Sequence, residues 1–174
     1  MVSVKDSRFR LEPLAKQHNR KEFTCGTLGL DSYLKAYASQ DMRRKANATF
    51  VLVPENVPNK ITGYFTLCAF GISPGTVPEA AQKFIPRYPL VSATLIGRLA
   101  ISSDHQGHGL GSILLAQALK KAFDNTAIVG CSMVVVDAID EKAVGFYQAH
   151  GFLKLPESMR LILPMQSIAR LRLL

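Results

Sequence analysis

The chain has 174 residues, of which 48% are hydrophobic and 20% are charged, a balance typical of one globular domain with a sizeable core. No apolar run approaches the roughly 20 residues that a membrane-spanning helix needs, and the N-terminal MVSVKDSRFRLEP lacks the apolar stretch of a secretory signal. We therefore expect a single domain over residues 1–174, in the cytoplasm and not at a membrane.

The net charge of +8 is unevenly distributed along the chain. Residues 1–53 contain ten Lys and Arg against five Asp and Glu, a net charge of +5, whereas residues 54–97 add +1 and residues 98–174 add +2. A basic surface suits a polyanionic partner, such as a nucleic acid or a phosphorylated cofactor. The same charge can also serve only to keep a protein soluble, so composition leaves both interpretations open.

In the first half of the chain, RFRLEPLA predicts an opening strand. LDSYLKAYASQDMRRKA predicts a helix, because Leu34, Tyr37, Ala38 and Met42 recur at helical spacing, and Asp31 is placed to cap it. ATFVLVP and KITGYFTLCAFGI are β-rich runs separated by the turn-forming PENVPN. They predict a hairpin.

The second half alternates strands and helices. VPEAAQKFIPRYP predicts a short helix, LVSATLIGRLAI a strand, residues 110–123 a helix, and IVGCSMVVVDA a buried strand. A short helix around residues 140–148 and a closing pair of strands, GFLKL and MRLILPM, follow. Hairpins followed by β-α-β-α-β predict a mixed α/β fold that is not doubly wound.

Three cysteines, Cys25, Cys68 and Cys131, are far apart and lack the spacing of a metal site. We expect reduced thiols in or near the core and no structural metal.

A glycine-rich turn lies between the predicted strand and helix. Gly107, Gly109 and Gly111 follow the strand run Leu99-Ala100-Ile101. A Walker loop would need a lysine here, and a dinucleotide-binding fingerprint would need a third glycine where Ser112 stands. A simple tight turn does not explain three glycines. Glycines between a strand and a helix instead favour a close approach of backbone to a phosphorylated ligand.

Gln106, Gly109 and Gly111 fit the pattern Gln/Arg-x-x-Gly-x-Gly/Ala, which resembles the acetyl-coenzyme A signature of the Gcn5-related N-acetyltransferase (GNAT) superfamily. The resemblance implies a central, twisted, mostly antiparallel sheet flanked by helices and splayed at the strand that pairs with the cofactor. It also implies acetyl-coenzyme A as co-substrate, with no metal. The cofactor-binding residues it implies are Leu99, Ala100, Ile101, Gln106, Gly107, His108, Gly109, Leu110, Gly111 and Ser112.

The segment DEKAVGFYQAHGF is similar to the family pattern Asn-x-x-Ala-x-x-Phe-Tyr-x-x-x-Gly-Phe. The resemblance implies that Tyr147 is the catalytic residue, because a phenol can protonate or hydrogen-bond the thiolate that leaves. Asp140 stands where the family has Asn. It can cap the helix, but it cannot donate an amide N–H to the cofactor.

No Glu or His stands out as a base that would deprotonate the acceptor amine. His105, His108 and His150 lie near the motifs, but a surface histidine is more often incidental than catalytic. An α-amine, whose pKa is about 7.7–8.0, needs little help from a base, whereas a lysine amine with a pKa of about 10.4 needs much more.

Nearly the whole chain resembles one branch of that superfamily, the TacT-type toxin acetyltransferases of bacterial toxin–antitoxin systems. This resemblance implies acetylation of the α-amine of aminoacyl-tRNA, a block of translation, neutralisation by a ribbon-helix-helix antitoxin, and a possible homodimer. The RNA-binding residues we expect are Arg43, Arg44 and Lys45. Two alternatives remain: another acceptor (a protein N-terminus, a lysine or a small amine), or a non-catalytic module that senses acyl-coenzyme A or binds RNA.

Overall fold

Seven strands form one mixed sheet in the order β1-β2-β3-β4-β5-β7-β6 in this computed structural model, which describes residues 8–171. The strands are β1 (Phe9–Pro13), β2 (Ala48–Pro54), β3 (Gly63–Ile72), β4 (Val91–Ile101), β5 (Met133–Asp137), β6 (Leu153–Lys154) and β7 (Arg160–Pro164). The helices are α1 (Leu28–Ser32), α2 (Ala38–Arg43), α3 (Glu79–Gln82), α4 (Leu110–Asn125), α5 (Glu141–Ala149) and α6 (Met165–Arg170). A π-helical turn, Tyr33–Tyr37, joins α1 to α2.

The β4–β5 pair is parallel, whereas β1–β2, β2–β3, β5–β7 and β6–β7 are antiparallel. Register pairs between β4 and β5 run from Ala93–Met133 to Ile96–Val136. In the described part of the chain, β4 continues from Gly97 to Ile101 beyond the last of these pairs. This open end matches the splayed strand that the sequence predicts.

The chain divides into two compact units, each with its own apolar cluster. The first comprises the chain up to Leu67 together with Arg98–Ala118, and the second comprises Cys68–Gly97 and the chain from Leu119 onward. The cluster in the first unit packs α1, the π-helical turn and α2 against β2 and Tyr64 of β3. The cluster in the second unit joins β5 and β7 to the start of β4 and to α3. A single domain over residues 1–174 stays a prediction.

The strands and helices predicted from sequence all form, but three details differ. The first helix begins at Leu28 after Thr27, so Asp31 lies within the helix and does not cap it. Its carboxylate instead accepts the Cys25 backbone N–H at 2.9 Å. The strand predicted from IVGCSMVVVDA begins only at Met133, because Ile128 is 83% exposed in the preceding loop. The sixth helix, α6, was not predicted.

Within residues 8–171, no helix is long and apolar enough to cross a membrane. In the same range no group of three or more His, Cys, Asp or Glu side chains could hold a metal ion. All three cysteines are free thiols, of which Cys25 is buried. Their reduced state stays a prediction.

Candidate active site

The glycine turn of the first unit connects the open end of β4 to the N-terminus of α4. A short 3₁₀ turn, Ser103–His105, comes first, and Gly107 and Gly109 then adopt φ values of +79° and +80°. These left-handed conformations suit glycine and are typical of the backbone nests that bind anions. A Cβ atom added to either glycine would meet no protein atom within 4 Å, so the space in front of the turn is open.

The turn leads into a helix of 16 residues, whose positive N-terminal end adds to the attraction for an anion. Leu110, the first residue of this helix, is 2% exposed and anchors the turn in the core. His108 and Gly109 are exposed. The arrangement therefore offers backbone N–H groups, and not the Leu110 side chain, to a phosphorylated ligand.

The Gln106 side chain holds the glycine turn through hydrogen bonds to the protein backbone. Its side-chain amide nitrogen donates to the Ile101 carbonyl at 2.9 Å and to the Cys25 carbonyl at 2.8 Å. The Ser103 N–H also donates to the Thr24 carbonyl at 2.8 Å. Since the amide nitrogen of Gln106 donates to two carbonyl groups of the protein, this side chain stabilises the conformation of the turn. The predicted contact of Gln106 with the cofactor stays a prediction.

The last residues of β4 are closely packed on one side. Ala100 and Ile101 are buried, and Leu99 is half-buried. A Cβ added to Gly63 of β3 would lie 3.0 Å from the Ala100 carbonyl oxygen and 2.8 Å from Ile101 Cδ1. Sequence reasoning missed Gly63; a glycine in a strand that marks close backbone approach was the available signal. Here it brings β3 against the strand predicted to pair with the cofactor.

Tyr147 is positioned in the second unit by α5. Asp140 caps this helix by accepting the Ala143 N–H at 2.7 Å, as predicted. The Tyr147 ring packs edge-on against Phe146 and Phe152, with centroid distances of 5.2 and 5.4 Å. Only 7% of Tyr147 is exposed, and burial raises the pKa of its hydroxyl to about 12. The phenol therefore keeps its proton at physiological pH and is a hydrogen-bond donor.

Two of the three histidines near the motifs are bound in local contacts. His105 Nδ1 lies 2.9 Å from Ser102 Oγ, and burial together with Lys60 lowers the pKa of its imidazole. His150 Nδ1 lies 2.7 Å from the Phe146 carbonyl oxygen. His108 is exposed on the glycine turn. A base for the acceptor amine is not evident among them.

The predicted RNA-binding residues lie at the end of α2 in the first unit. Arg43 is the last residue of the helix, Arg44 follows it, and Lys45 adopts a left-handed φ of +61°. All three side chains are exposed. They form a compact basic corner that is accessible to a large anion.

The open end of β4 and the glycine turn before α4, both in the first unit, are features expected of an enzyme that binds a phosphorylated acyl donor. The sequence profile of the Acetyltransferase (GNAT) family matches residues 16–152, and the chain belongs to this family. It is an acetyltransferase. The predictions of GNAT fold and enzyme class are confirmed.

Two curated relatives are bacterial toxins. The probable toxin TacT of Sinorhizobium fredii is 25% identical over 170 residues, covering 92% of this chain and 93% of the relative. A tRNA-acetylating toxin of Mycobacterium tuberculosis is 26% identical over 130 residues, covering 75% of each chain. The chain is thus similar to toxin acetyltransferases over most of its length, as the sequence predicts.

Solved toxins share the fold. A Tyr-to-Phe mutant of the toxin KacT superposes with a TM-score of 0.87 at 29% identity, over 94% of this chain and 98% of that one. AtaT in complex with acetyl-methionyl-tRNAfMet gives a TM-score of 0.86 at 29% identity, over 94% and 99%. A Tyr-to-Phe mutant of the toxin AtaT, bound to acetyl-CoA and the C-terminus of the antitoxin AtaR, gives a TM-score of 0.78 at 26% identity, over 95% and 98%.

Proposed function

We propose that this acetyltransferase moves the acetyl group of acetyl-CoA to the α-amine of an aminoacyl-tRNA, and that it acts as a toxin by blocking translation. The observation that carries the proposal is the similarity, over 94% of the chain, to a toxin solved with acetyl-methionyl-tRNAfMet. The +5 charge of residues 1–53 and the exposed Arg43, Arg44 and Lys45 support a polyanionic acceptor.

Acetyl-CoA occupies the first unit in this proposal. Its pyrophosphate accepts hydrogen bonds from the N–H groups of the glycine turn, from Gly107 to Ser112, at the N-terminus of α4. Its pantetheine arm pairs with the backbone of Leu99, Ala100 and Ile101 at the open end of β4. The positive φ values of Gly107 and Gly109 support this assignment, because glycine alone adopts them readily and brings the backbone close to a ligand.

Transfer begins when the neutral amine attacks the thioester carbonyl carbon. A C–N bond forms, the C–S bond then breaks, the amine nitrogen loses a proton, and coenzyme A leaves as a thiolate. Tyr147 donates a hydrogen bond to the departing sulfur. Full proton transfer from a phenol of pKa about 12 to a thiolate whose thiol has a pKa of about 8.5 is uphill by about 5 kcal/mol. The burial of Tyr147 thus favours hydrogen bonding, and the proton that finally reaches the sulfur comes from the amine.

An aminoacyl ester is a suitable acceptor for a site without an evident base. Its α-amine is more acidic than an ordinary α-amine, whose pKa is already about 7.7–8.0, so a large fraction is neutral at cellular pH. A lysine side chain, with a pKa of about 10.4, would be almost wholly protonated. Polyamines are cations and would be repelled by a basic surface. A protein N-terminus is the alternative acceptor that this chemistry leaves open.

We also propose that a ribbon-helix-helix antitoxin neutralises the enzyme. The enzyme acts in the cytoplasm in this proposal, and it forms a homodimer. The AtaT complex with the C-terminus of the antitoxin AtaR supports an antitoxin partner.

Cell-free translation tests the proposed activity. Purified enzyme should stop protein synthesis only when acetyl-CoA is present, and fresh aminoacyl-tRNA should restore synthesis after the enzyme is removed. Inhibition that does not depend on acetyl-CoA, or that fresh aminoacyl-tRNA fails to relieve, would exclude charged tRNA as the acceptor.

A further inference from the structure

A stacked guanidinium lies on the strand that leads into the proposed donor site. Arg98 of β4 immediately precedes Leu99, and its Cζ lies 3.4 Å from the centre of the Tyr33 ring. Tyr33 is 5% exposed, and Arg98 is half-buried. Stacking on an aromatic face holds the planar guanidinium in one orientation and leaves the N–H groups on its edge available.

Tyr33 is itself held in place by its neighbours in the first unit. Its hydroxyl donates to Asp41 Oδ2 at 2.8 Å, and the Asn47 side-chain amide donates to the same oxygen at 3.3 Å. The hydrogen bond from Tyr33 holds the pKa of the Asp41 carboxyl below its usual value. Tyr33 also begins the π-helical turn, a feature that occurs frequently at functional sites. The Tyr33 ring is therefore a fixed platform for the guanidinium.

Arg98 takes part in none of the ion pairs Arg10–Glu12, His18–Glu12, Lys120–Asp124 and Arg160–Asp137 of the described residues. The Asp41 carboxylate is near enough to interact with the Arg98 charge, but it forms no ion pair with the guanidinium. Asp41 uses Oδ2 for Tyr33 and Asn47. A half-buried, pre-oriented guanidinium without an ion pair is suited to bind a phosphate, whose oxygens match its N–H geometry.

Arg98 belongs to the same electrostatic neighbourhood as the basic corner of α2. Both Arg98 and Arg44 contribute to the lowered pKa of the Asp41 carboxyl, so both guanidinium groups lie near the same side chain. Arg44 is one of the exposed basic residues that we assign to RNA. A polyanion lying on α2 would meet Arg98 as it approaches the strand that carries the donor.

We propose that Arg98 is a specificity-determining residue that binds a backbone phosphate of the acceptor RNA close to its aminoacylated end. The inference rests on the proposed function. Arg98 is one residue from the proposed pantetheine-pairing segment Leu99–Ile101, so a phosphate held there lies near the donor strand. The contact selects an acceptor that carries a phosphate beside its amine and disfavours free amines and protein N-termini.

Two substitutions of Arg98 and one control test the contact. Arg98→Gln removes the charge, and Arg98→Lys keeps the charge but loses the planar, stacked fork. Lys120→Gln is the control, because it removes one positive charge from an exposed pair on α4. Arg98→Gln should raise KM for charged tRNA about 10- to 100-fold, the effect of losing a charge-assisted hydrogen bond, and Arg98→Lys should recover only part of it. Lys120→Gln should stay within about twofold of wild type.

Two further measurements separate recognition of the phosphate from a structural role. Arg98→Gln should reduce the salt dependence of tRNA binding by roughly 0.7–0.9 in the log–log slope, with the affinity for acetyl-CoA unchanged. An aminoacyl-adenosine acceptor, which has no phosphate, should react equally with Arg98→Gln and with wild type. A merely structural role would instead lower both acetyl-CoA affinity and activity on this small acceptor.

The outcomes distinguish this inference from the proposed function. Wild-type enzyme that fails to acetylate charged tRNA contradicts the proposed function itself. If wild type acetylates charged tRNA, and Arg98→Gln keeps both the wild-type KM and the wild-type salt slope, only the role of Arg98 is wrong. An equal loss on charged tRNA and on aminoacyl-adenosine would also overturn it.

Discussion

A single methyl group at Gly109 should separate cofactor binding from folding. Gly109 has φ +80°, and an added Cβ would meet no protein atom within 4 Å, so Gly109→Ala introduces backbone strain but no clash. The strain costs about 1–2 kcal/mol for an L-residue in this conformation. For a chain of this size, that cost corresponds to a fall in Tm of about 2–8 °C. The protein should therefore remain folded at 25 °C.

The same methyl group should be costly for the cofactor. It projects into the open space that the proposed pyrophosphate would fill, and displacing two N–H bonds to a charged group loses about 3–6 kcal/mol. This loss corresponds to a rise in the Kd of acetyl-CoA of about 10²- to 10⁴-fold. Acetyl-pantetheine, which lacks the pyrophosphate, should bind wild type and Gly109→Ala alike.

Isothermal titration calorimetry with both ligands, paired with thermal melts, measures these effects. Gly151→Ala is the matched control, because Gly151 also has a left-handed φ, +91°, and its added Cβ would lie 3.8 Å from Leu163 Cδ1, an ordinary contact. It should lose similar stability and keep wild-type affinity for acetyl-CoA. A folded Gly109→Ala protein with wild-type affinity would refute the assignment of the pyrophosphate to the glycine turn.

Three further predictions concern the second unit. Tyr147→Phe should slow single-turnover acetyl transfer by about 10²- to 10³-fold at unchanged acetyl-CoA affinity, the effect of losing one hydrogen-bond donor to a developing negative charge; a rate within about threefold of wild type would exclude a role for the hydroxyl. Asp140→Ala should lower the free energy of unfolding by about 1 kcal/mol, whereas Asp140→Asn keeps the cap and should keep the stability. A change in acetyl-CoA affinity with Asp140→Asn would show that this position contacts the cofactor. The contribution of Tyr147 to stability should be full below pH 10 and fall as pH rises from 10 toward 12, because Tyr147 loses its proton more easily when unfolded. This contribution changes the free energy of unfolding by up to about 1.4 kcal/mol per pH unit, and it should be missing in Tyr147→Phe when denaturant titrations are repeated between pH 10 and 12. The same pH dependence of the unfolding free energy in both proteins would contradict the burial of the Tyr147 hydroxyl.

Patterns with strong local causes were predictable from sequence. The β2–β3 hairpin follows from two β-rich runs around PENVPN, and α4 follows from a long apolar periodicity after a glycine turn. The cap at Asp140 follows from the side-chain chemistry of Asp before a helix. The same reasoning gave the wrong start for the first helix, because Asp31 does not cap it. Its carboxylate accepts the backbone N–H of Cys25, a hydrogen bond that helical periodicity does not encode.

Features that depend on tertiary contacts were not predictable. Nothing in the spacing of Gln106 indicates that its amide nitrogen would bridge Ile101 and the distant Cys25. The stacking of Arg98 on Tyr33 likewise joins residues 65 positions apart in the numbering of the chain. The loop around Ile128 is apolar in sequence yet exposed, so hydrophobicity alone extended the predicted strand too far. The glycine turn and the start of α4 could be predicted because glycine conformation and the helix dipole depend on neighbouring residues in the chain. The contacts of Gln106 and Arg98 could not be predicted because they join residues far apart in the sequence.

Transfer of labelled acetyl groups tests the central claim most directly. The enzyme is mixed with acetyl-CoA labelled in the acetyl group and with either charged or uncharged tRNA, and the RNA is recovered. Label should appear only on charged tRNA, and it should leave the RNA when mild base hydrolyses the aminoacyl ester. Equal labelling of uncharged tRNA, or labelling of protein alone, would contradict the account.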